Sequence, residues 1–140
     1  MLATSELVQA VPLDAILGSV DRVDVIRVDT GGAEAKVLRG AEQTLRRFRP
    51  LLFFELRPAA LVKFSGTEAV QMLEWLRGLG YYFKVLRQGA SALSQPRIGA
   101  FQDPASVVAG IEADGADHYH VMACSIRLPQ PTREERSSHV

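Results

Sequence analysis

Apolar positions fall into two alternating rhythms along this chain. Between Val23 and Leu56 they form a short β-branched run (Val23, Val25, Ile26, Val28), then a glycine pair (Gly31, Gly32). A stretch at helical spacing follows (Val37, Leu38, Ala41, Leu45, Phe48), then a second continuous run (Leu51, Leu52, Phe53, Phe54, Leu56). Continuous runs predict strands covered on both faces, and the three-to-four spacing predicts an amphipathic helix, so the stretch is one βαβ unit. Lys36, Arg39, Glu42, Gln43 and Arg46 fall largely off the apolar stripe, and Glu42 stands four residues before Arg46, where the two can pair. Thr30 is placed to cap the helix and Glu34 to sit at its positive end. Arg46, Arg47 and Arg49 suit the negative end, and Pro50 stops the helix.

The same reading extends outward from this unit. Leu13, Ile16 and Leu17 make an apolar helical turn with Asp14 at its start. Arg57-Pro58 breaks the second strand, and Ala59 to Phe64 forms a loop or helical turn placed to act as a lid. Ser65 and Glu68 have capping-box spacing ahead of a helix striped by Ala69, Met72, Leu73, Leu76 and Leu79 and ended by Gly78 and Gly80. Tyr81 to Leu86 is a third strand, parallel to the first two by the right-handed crossover rule. Residues 87–117 are rich in glycine, proline, serine and alanine and read as a long functional or mobile loop, with a short helix near Ala105 to Ile111 at most. Tyr119 to Leu128 is a final strand. Residues 1–10 are expected to fray, residues 11–128 to form one domain, and the polar residues 129–140 to be disordered.

Composition narrows the function classes. With 140 residues and 47% hydrophobic content the chain is long and apolar enough for one real core. Sixteen basic and sixteen acidic side chains cancel, which removes the electrostatic footprint expected of a nucleic-acid or membrane-surface binder. The single cysteine, Cys124, excludes an internal disulfide. No secretory segment and no apolar run near the ~20 residues of a membrane span is present, so a cytoplasmic location is expected.

Parallel strands carry their chemistry at their carboxyl ends, and here those ends hold Asp29 and Glu55. On adjacent strands about 4.8 Å apart, the two carboxylates can share a proton, orient a hydroxyl or hold a divalent cation through oxygen. The structural alternative is an ion pair with Arg27 or Arg57, or capping of nearby amides. Arg27, inside an apolar strand, needs a carboxylate partner, Glu55 or Asp24. Gly31-Gly32 reads as a turn, since two glycines fall short of an anion-cradle pattern. His118 and His120 alternate onto one face without a third ligand at a recognisable spacing, so no metal is expected. Cys124 reads as an inert core thiol and Trp75 as packing.

A family resemblance rests on four stretches: Pro12 to Leu17 (PLDAIL), Val23 to Glu34 (VDVIRVDTGGAE), Val37 to Ala41, and Arg49-Pro50 followed by LLFFEL. Together they resemble the C-terminal half of FkbM-type methyltransferases over roughly Val11 to Leu86. These are S-adenosylmethionine (SAM) dependent enzymes of the Rossmann-like methyltransferase fold, typically methylating oxygen of sugars, polyketides and other small molecules. Arg27, Thr30 and Gly31 stand where that family usually has lysine, valine and glutamate. The resemblance implies an α/β, partial Rossmann-like methyltransferase fold, a mixed sheet of about four strands with helices on its faces and the last strand inserted antiparallel. It implies Asp29 as the residue that orients or deprotonates a small-molecule or sugar acceptor, with Glu55 supporting it. Asp29, Gly31, Gly32 and Glu34 are the residues it places at the cofactor. The family's first half, with the glycine-rich turn and the acidic residue that hold SAM, has no counterpart in this sequence. Weak or absent SAM binding is therefore expected, with an uncovered apolar edge or face that favours a homo-oligomer. The alternative is a noncatalytic remnant or binding module that keeps the same half-fold.

Overall fold

Residues 5–87 and 97–125 are described by a computed structural model. In chain order the elements are α1 (Leu13–Ile16), β1 (Val25–Val28), α2 (Glu34–Arg39), α3 (Glu42–Phe48), β2 (Leu51–Leu56), α4 (Pro58–Ser65), α5 (Ala69–Gly78), β3 (Tyr81–Arg87), β4 (Arg97–Gln102), α6 (Pro104–Ala113) and β5 (Tyr119–Ser125). They build one five-stranded sheet of order β1-β2-β5-β3-β4. β1 is parallel to β2, and β5 runs antiparallel to both β2 and β3, which makes β2 and β3 parallel to each other. The last strand is thus inserted antiparallel, as the resemblance implies. The sheet has one strand more than expected, because β4 adds antiparallel to β3 at the outer edge.

β4 and α6 come from the stretch read as a loop. β4 has no continuous apolar run to announce it, since Gly99 and Ala100 interrupt its sequence. α6 carries a start signal that outweighs its weak periodicity: Asp103 accepts a hydrogen bond from the Ser106 amide at 3.0 Å and Pro104 follows at the first helical position. The expected end of the last strand at residues 126–128 and the polar tail 129–140 lie outside the described residues.

The stretch read as one helix after the glycine turn is two. α2 ends at Gly40, and α3 starts afresh after Ala41. Asp14 explains the restart. Its carboxylate accepts from the Gln43 and Thr44 amides, each at 2.9 Å, and from the Thr44 hydroxyl at 2.6 Å, so a residue of α1 caps α3 across the chain. Burial works against the charged form of Asp14, but the bonds from Thr44 and Gln43 outweigh it and hold the carboxyl below its usual range. The capping box expected at Ser65 is instead formed by Glu68 and Gln71 at the start of α5.

The period-two alternation of the strands divides the sheet into unequal faces. Val28, Leu52, Phe54, Leu56, Phe83, Val85, Val121 and Ala123 are buried in one core cluster with Leu38, Leu45, Leu61, Leu76 and Ile111 of the helices. On the opposite face Val25, Arg27 and Tyr82 are exposed, while Leu51, Phe53, Met122, Cys124 and Leu86 are half-buried. β1 was expected to be covered on both faces, but it is the edge strand and Val25 on it is 55% exposed. Cys124, expected in the core, lies half-buried on the open face. No helix among the described residues is long and apolar enough to cross a membrane.

Candidate functional site

The turn that leaves β1 decides what the site offers. Gly31 and Gly32 have φ of +66° and +119°, a conformation that side chains rarely tolerate. Gly32 has a second constraint, because a Cβ there would stand 2.6 Å from the Ala60 carbonyl oxygen and 2.8 Å from Phe64 Cδ2. The space of that missing side chain is filled by α4, and the Ser65 hydroxyl donates to the Gly32 carbonyl at 2.7 Å. Gly31 meets nothing within 4 Å and stays open.

Glu34 is turned inward. It is 1% exposed, and its Oε1 accepts from the Thr30 amide at 3.0 Å and the Thr30 hydroxyl at 3.1 Å. The expected cap is therefore reversed: Thr30 donates to Glu34, and Ala33 is the N-cap of α2 without a side-chain bond. Glu34 Oε2 is buried and has no hydrogen-bond partner. This carboxylate ties the turn to the helix below it and does not reach the outer surface.

Asp29 and Glu55 leave adjacent strands but face different company. The Asp29 side chain is 50% exposed and meets Arg27 Nη2 at 3.4 Å. Arg27 is not buried with Glu55 or Asp24 as expected, since edge position leaves its side chain 75% exposed. Glu55 is 14% exposed, and its Oε1 takes both Nε and Nη2 of Arg57, at 3.0 and 2.8 Å. Arg57 also reaches Asp117 at 3.2 Å, and Asp117 meets His118 Nδ1 at 2.5 Å. The guanidinium is held above its usual range first by the hydrogen bonds to Glu55, with the charges of Asp117 and Glu34 adding to them. The hydrogen bond to His118 comes first in holding the Asp117 carboxyl low. Glu55 thus takes the structural alternative.

His120, weighed in the sequence only as a metal ligand, lies at the same end of the sheet. Strand pairing sets it opposite Glu55, its ring lies edge-on to His118 at 5.5 Å, and it lines a depression with Asp29, Arg27, Phe53 and Leu86. That depression, about 450 Å³ and open to solvent, lies on the bare face at the carboxyl ends of β1 and β2. Only the register of β5 against β2 brings the imidazole there, and register is not written in local sequence. A larger hollow of about 930 Å³ lies between α4 and α6, with Arg57, Lys63, Phe64 and Asp117 on its walls. Among the described residues no three His, Cys, Asp or Glu side chains are grouped to hold a metal ion.

With this geometry in place, the model of the methyltransferase FkbM domain matches residues 2–83, more than half of the chain. The chain belongs to the FkbM methyltransferase family. The match takes in β1, the glycine turn, α2 to α5 and the start of β3, and it begins ahead of the residue-11 boundary expected from sequence. No curated protein matches the chain. Within the FkbM frame the four residues assigned to the cofactor divide evenly. The Asp29 side chain is half-exposed and Gly31 meets nothing within 4 Å, whereas Gly32 is filled by α4 and Glu34 is spent on Thr30.

Proposed function

We propose that this chain carries the acceptor side of an FkbM-type transfer of a methyl group from SAM to the oxygen of a small molecule or sugar, in the cytoplasm. The observation that carries the reading is the state of Asp29. It is the one of the three expected carboxylates left half-exposed, with a single long contact to Arg27, at the carboxyl end of a parallel strand. When bound there, SAM would supply the activated methyl group and, as its S–C bond breaks, leave as the neutral thioether. The chain's own part is to hold an acceptor hydroxyl in the depression and to take its proton at an Asp29 carboxylate oxygen as the new C–O bond forms. Glu55, locked by Arg57, keeps the floor of this end of the sheet rigid. α4, seated on Gly32, fixes the turn that aims Asp29. Asp29 and Gly31 by themselves enclose too little of a cofactor to hold it tightly.

A second reading is supported by the other two cofactor residues. Filling of the Gly32 space by α4 and inward locking of Glu34 suit a noncatalytic module that keeps the half-fold. One experiment separates the two. Transfer of labelled methyl from millimolar SAM to a panel of monosaccharides is measured for the chain and for Asp29→Asn. The enzyme reading expects transfer that falls on the order of 10²-fold or more in the variant. Transfer unchanged in Asp29→Asn removes Asp29 from the chemistry, and no transfer by either protein favours the noncatalytic module.

A further inference from the structure

Strand register sets a row of polar residues just beyond the core. Val28, Phe54 and Val121 are partners across β1, β2 and β5. One step further, Asp29 follows Val28, Glu55 pairs with His120, and His120 pairs with Leu86 of β3. Residues opposite each other share a face, so Asp29, Glu55 and His120 stand in line on the open face with Glu55 in the middle. The middle carboxylate is spent, since Arg57 holds it by two bonds. That leaves the depression with three polar side chains, Arg27, Asp29 and His120, over a floor of Phe53 and Leu86. Arg27 is turned to Asp29 on its own strand. The His120 ring is half-buried, and no hydrogen bond from the described residues engages its nitrogens. The edge of His118 lies 5.5 Å from it. His118 is in turn tied to Asp117 and Asp117 to Arg57, so the neighbouring ring is held in place.

We infer that His120 is the second contact of a bound acceptor: it bonds an oxygen other than the one methylated, and so selects acceptors with two hydroxyls set apart on one ring. In-line transfer needs the orientation of the acceptor fixed, and a lone carboxylate leaves the molecule free to turn about a single hydrogen bond. Among the polar side chains of the depression, His120 is the one left unengaged besides Asp29 and its Arg27 partner, and it faces Asp29 from two strands away. Two strand spacings set the backbones about 10 Å apart, and a hydrogen bond of about 2.8 Å at each end leaves about 4–5 Å between the two bound oxygens. That gap is too wide for hydroxyls on neighbouring ring carbons and suits hydroxyls on alternate carbons. The inference rests on the reading of the depression as the acceptor site.

Saturation-transfer NMR on the full chain tests it without cofactor, with cyclohexanol, trans-cyclohexane-1,2-diol and cis-cyclohexane-1,3-diol as probes. The 1,3-diol should bind about fivefold more tightly than the other two, the worth of one further hydrogen bond. His120→Ala should erase that preference, and His120→Gln, which keeps a donor and an acceptor, should retain part of it, with circular dichroism confirming that both variants fold. Equal binding of the three probes by the parent overturns the inference, and so does a preference that survives in His120→Ala. Methyl transfer from SAM to the same probes is read separately. A parent that prefers the 1,3-diol through His120 but methylates none of the probes upholds His120 as a binding residue and removes the methyl-transfer reading.

Discussion

Replacing Gly32 by alanine, beside the same change at Gly31, measures whether α4 is seated on the turn that aims Asp29. Both glycines have positive φ, so either alanine incurs the left-handed penalty of about 1–2 kcal/mol. At Gly31 that is the whole cost, because nothing lies within 4 Å of the added Cβ. At Gly32 the Cβ would stand 2.6 Å from a backbone carbonyl oxygen that has no rotamer by which to withdraw. Overpacking of this kind costs about 1–3 kcal/mol more, for roughly 2–5 kcal/mol in total. The push falls on Ala60 and Phe64 of α4, so the Ser65 bond to the Gly32 carbonyl should lengthen as well. Urea unfolding followed by circular dichroism and Trp75 fluorescence reads both variants against the parent. Equal costs at the two glycines, or a neutral Gly32→Ala, would refute the reasoning and leave the pair as a turn on which α4 is not seated.

Asp14→Ala should cost about 2–3 kcal/mol, since it leaves two amides at the start of α3 and the buried Thr44 hydroxyl without an acceptor. The Asp14 carboxyl is held below its ordinary 3.8, so its contribution is present above that pH and lost as pH falls through the folded value. Urea midpoints at pH 7 and pH 3 should therefore converge between parent and Asp14→Ala. Tyr81 is fully buried, donates to the Pro50 carbonyl at 3.0 Å and has its phenol pushed up to about 12 by desolvation. Its contribution is complete below pH 10 and lost between pH 10 and 12, by about 2 kcal/mol. Tyr81→Phe should remove that alkaline slope and cost about 1 kcal/mol at neutral pH.

The parallel core of the fold was legible because its strands and helices are periodic over whole elements. Leu51 to Leu56, Tyr81 to Leu86 and the α5 stripe follow directly from apolar spacing, and the crossover rule orients them. β4 was not legible, since its small residues pair as an edge strand without an apolar run. The break between α2 and α3 was hidden because its cause, Asp14, lies some thirty residues upstream. At the site, Asp29 and Glu55 were correctly placed at strand ends, but their company was not. Whether a strand is central or at an edge decides the exposure of Arg27 and Val25, and no local pattern reports it. The inward turn of Glu34, the filling of the Gly32 space by Ala60 and Phe64 and the place of His120 in one depression with Asp29 are tertiary facts of the same kind.

We propose that the described residues form one wall of a methyl-transfer site and leave most of the cofactor's surface open. Ligand sites bury about 70–90% of a small ligand's surface, and each directed hydrogen bond that Asp29 and Gly31 do not supply is worth about 1 kcal/mol. Three such bonds shift a dissociation constant from micromolar toward millimolar. Isothermal titration calorimetry of SAM into the purified chain tests this directly. Weak binding near the millimolar range, reduced further in Asp29→Ala, is the expected result. Stoichiometric micromolar binding that disappears in Asp29→Ala would show that the chain encloses its cofactor by itself and would contradict the account.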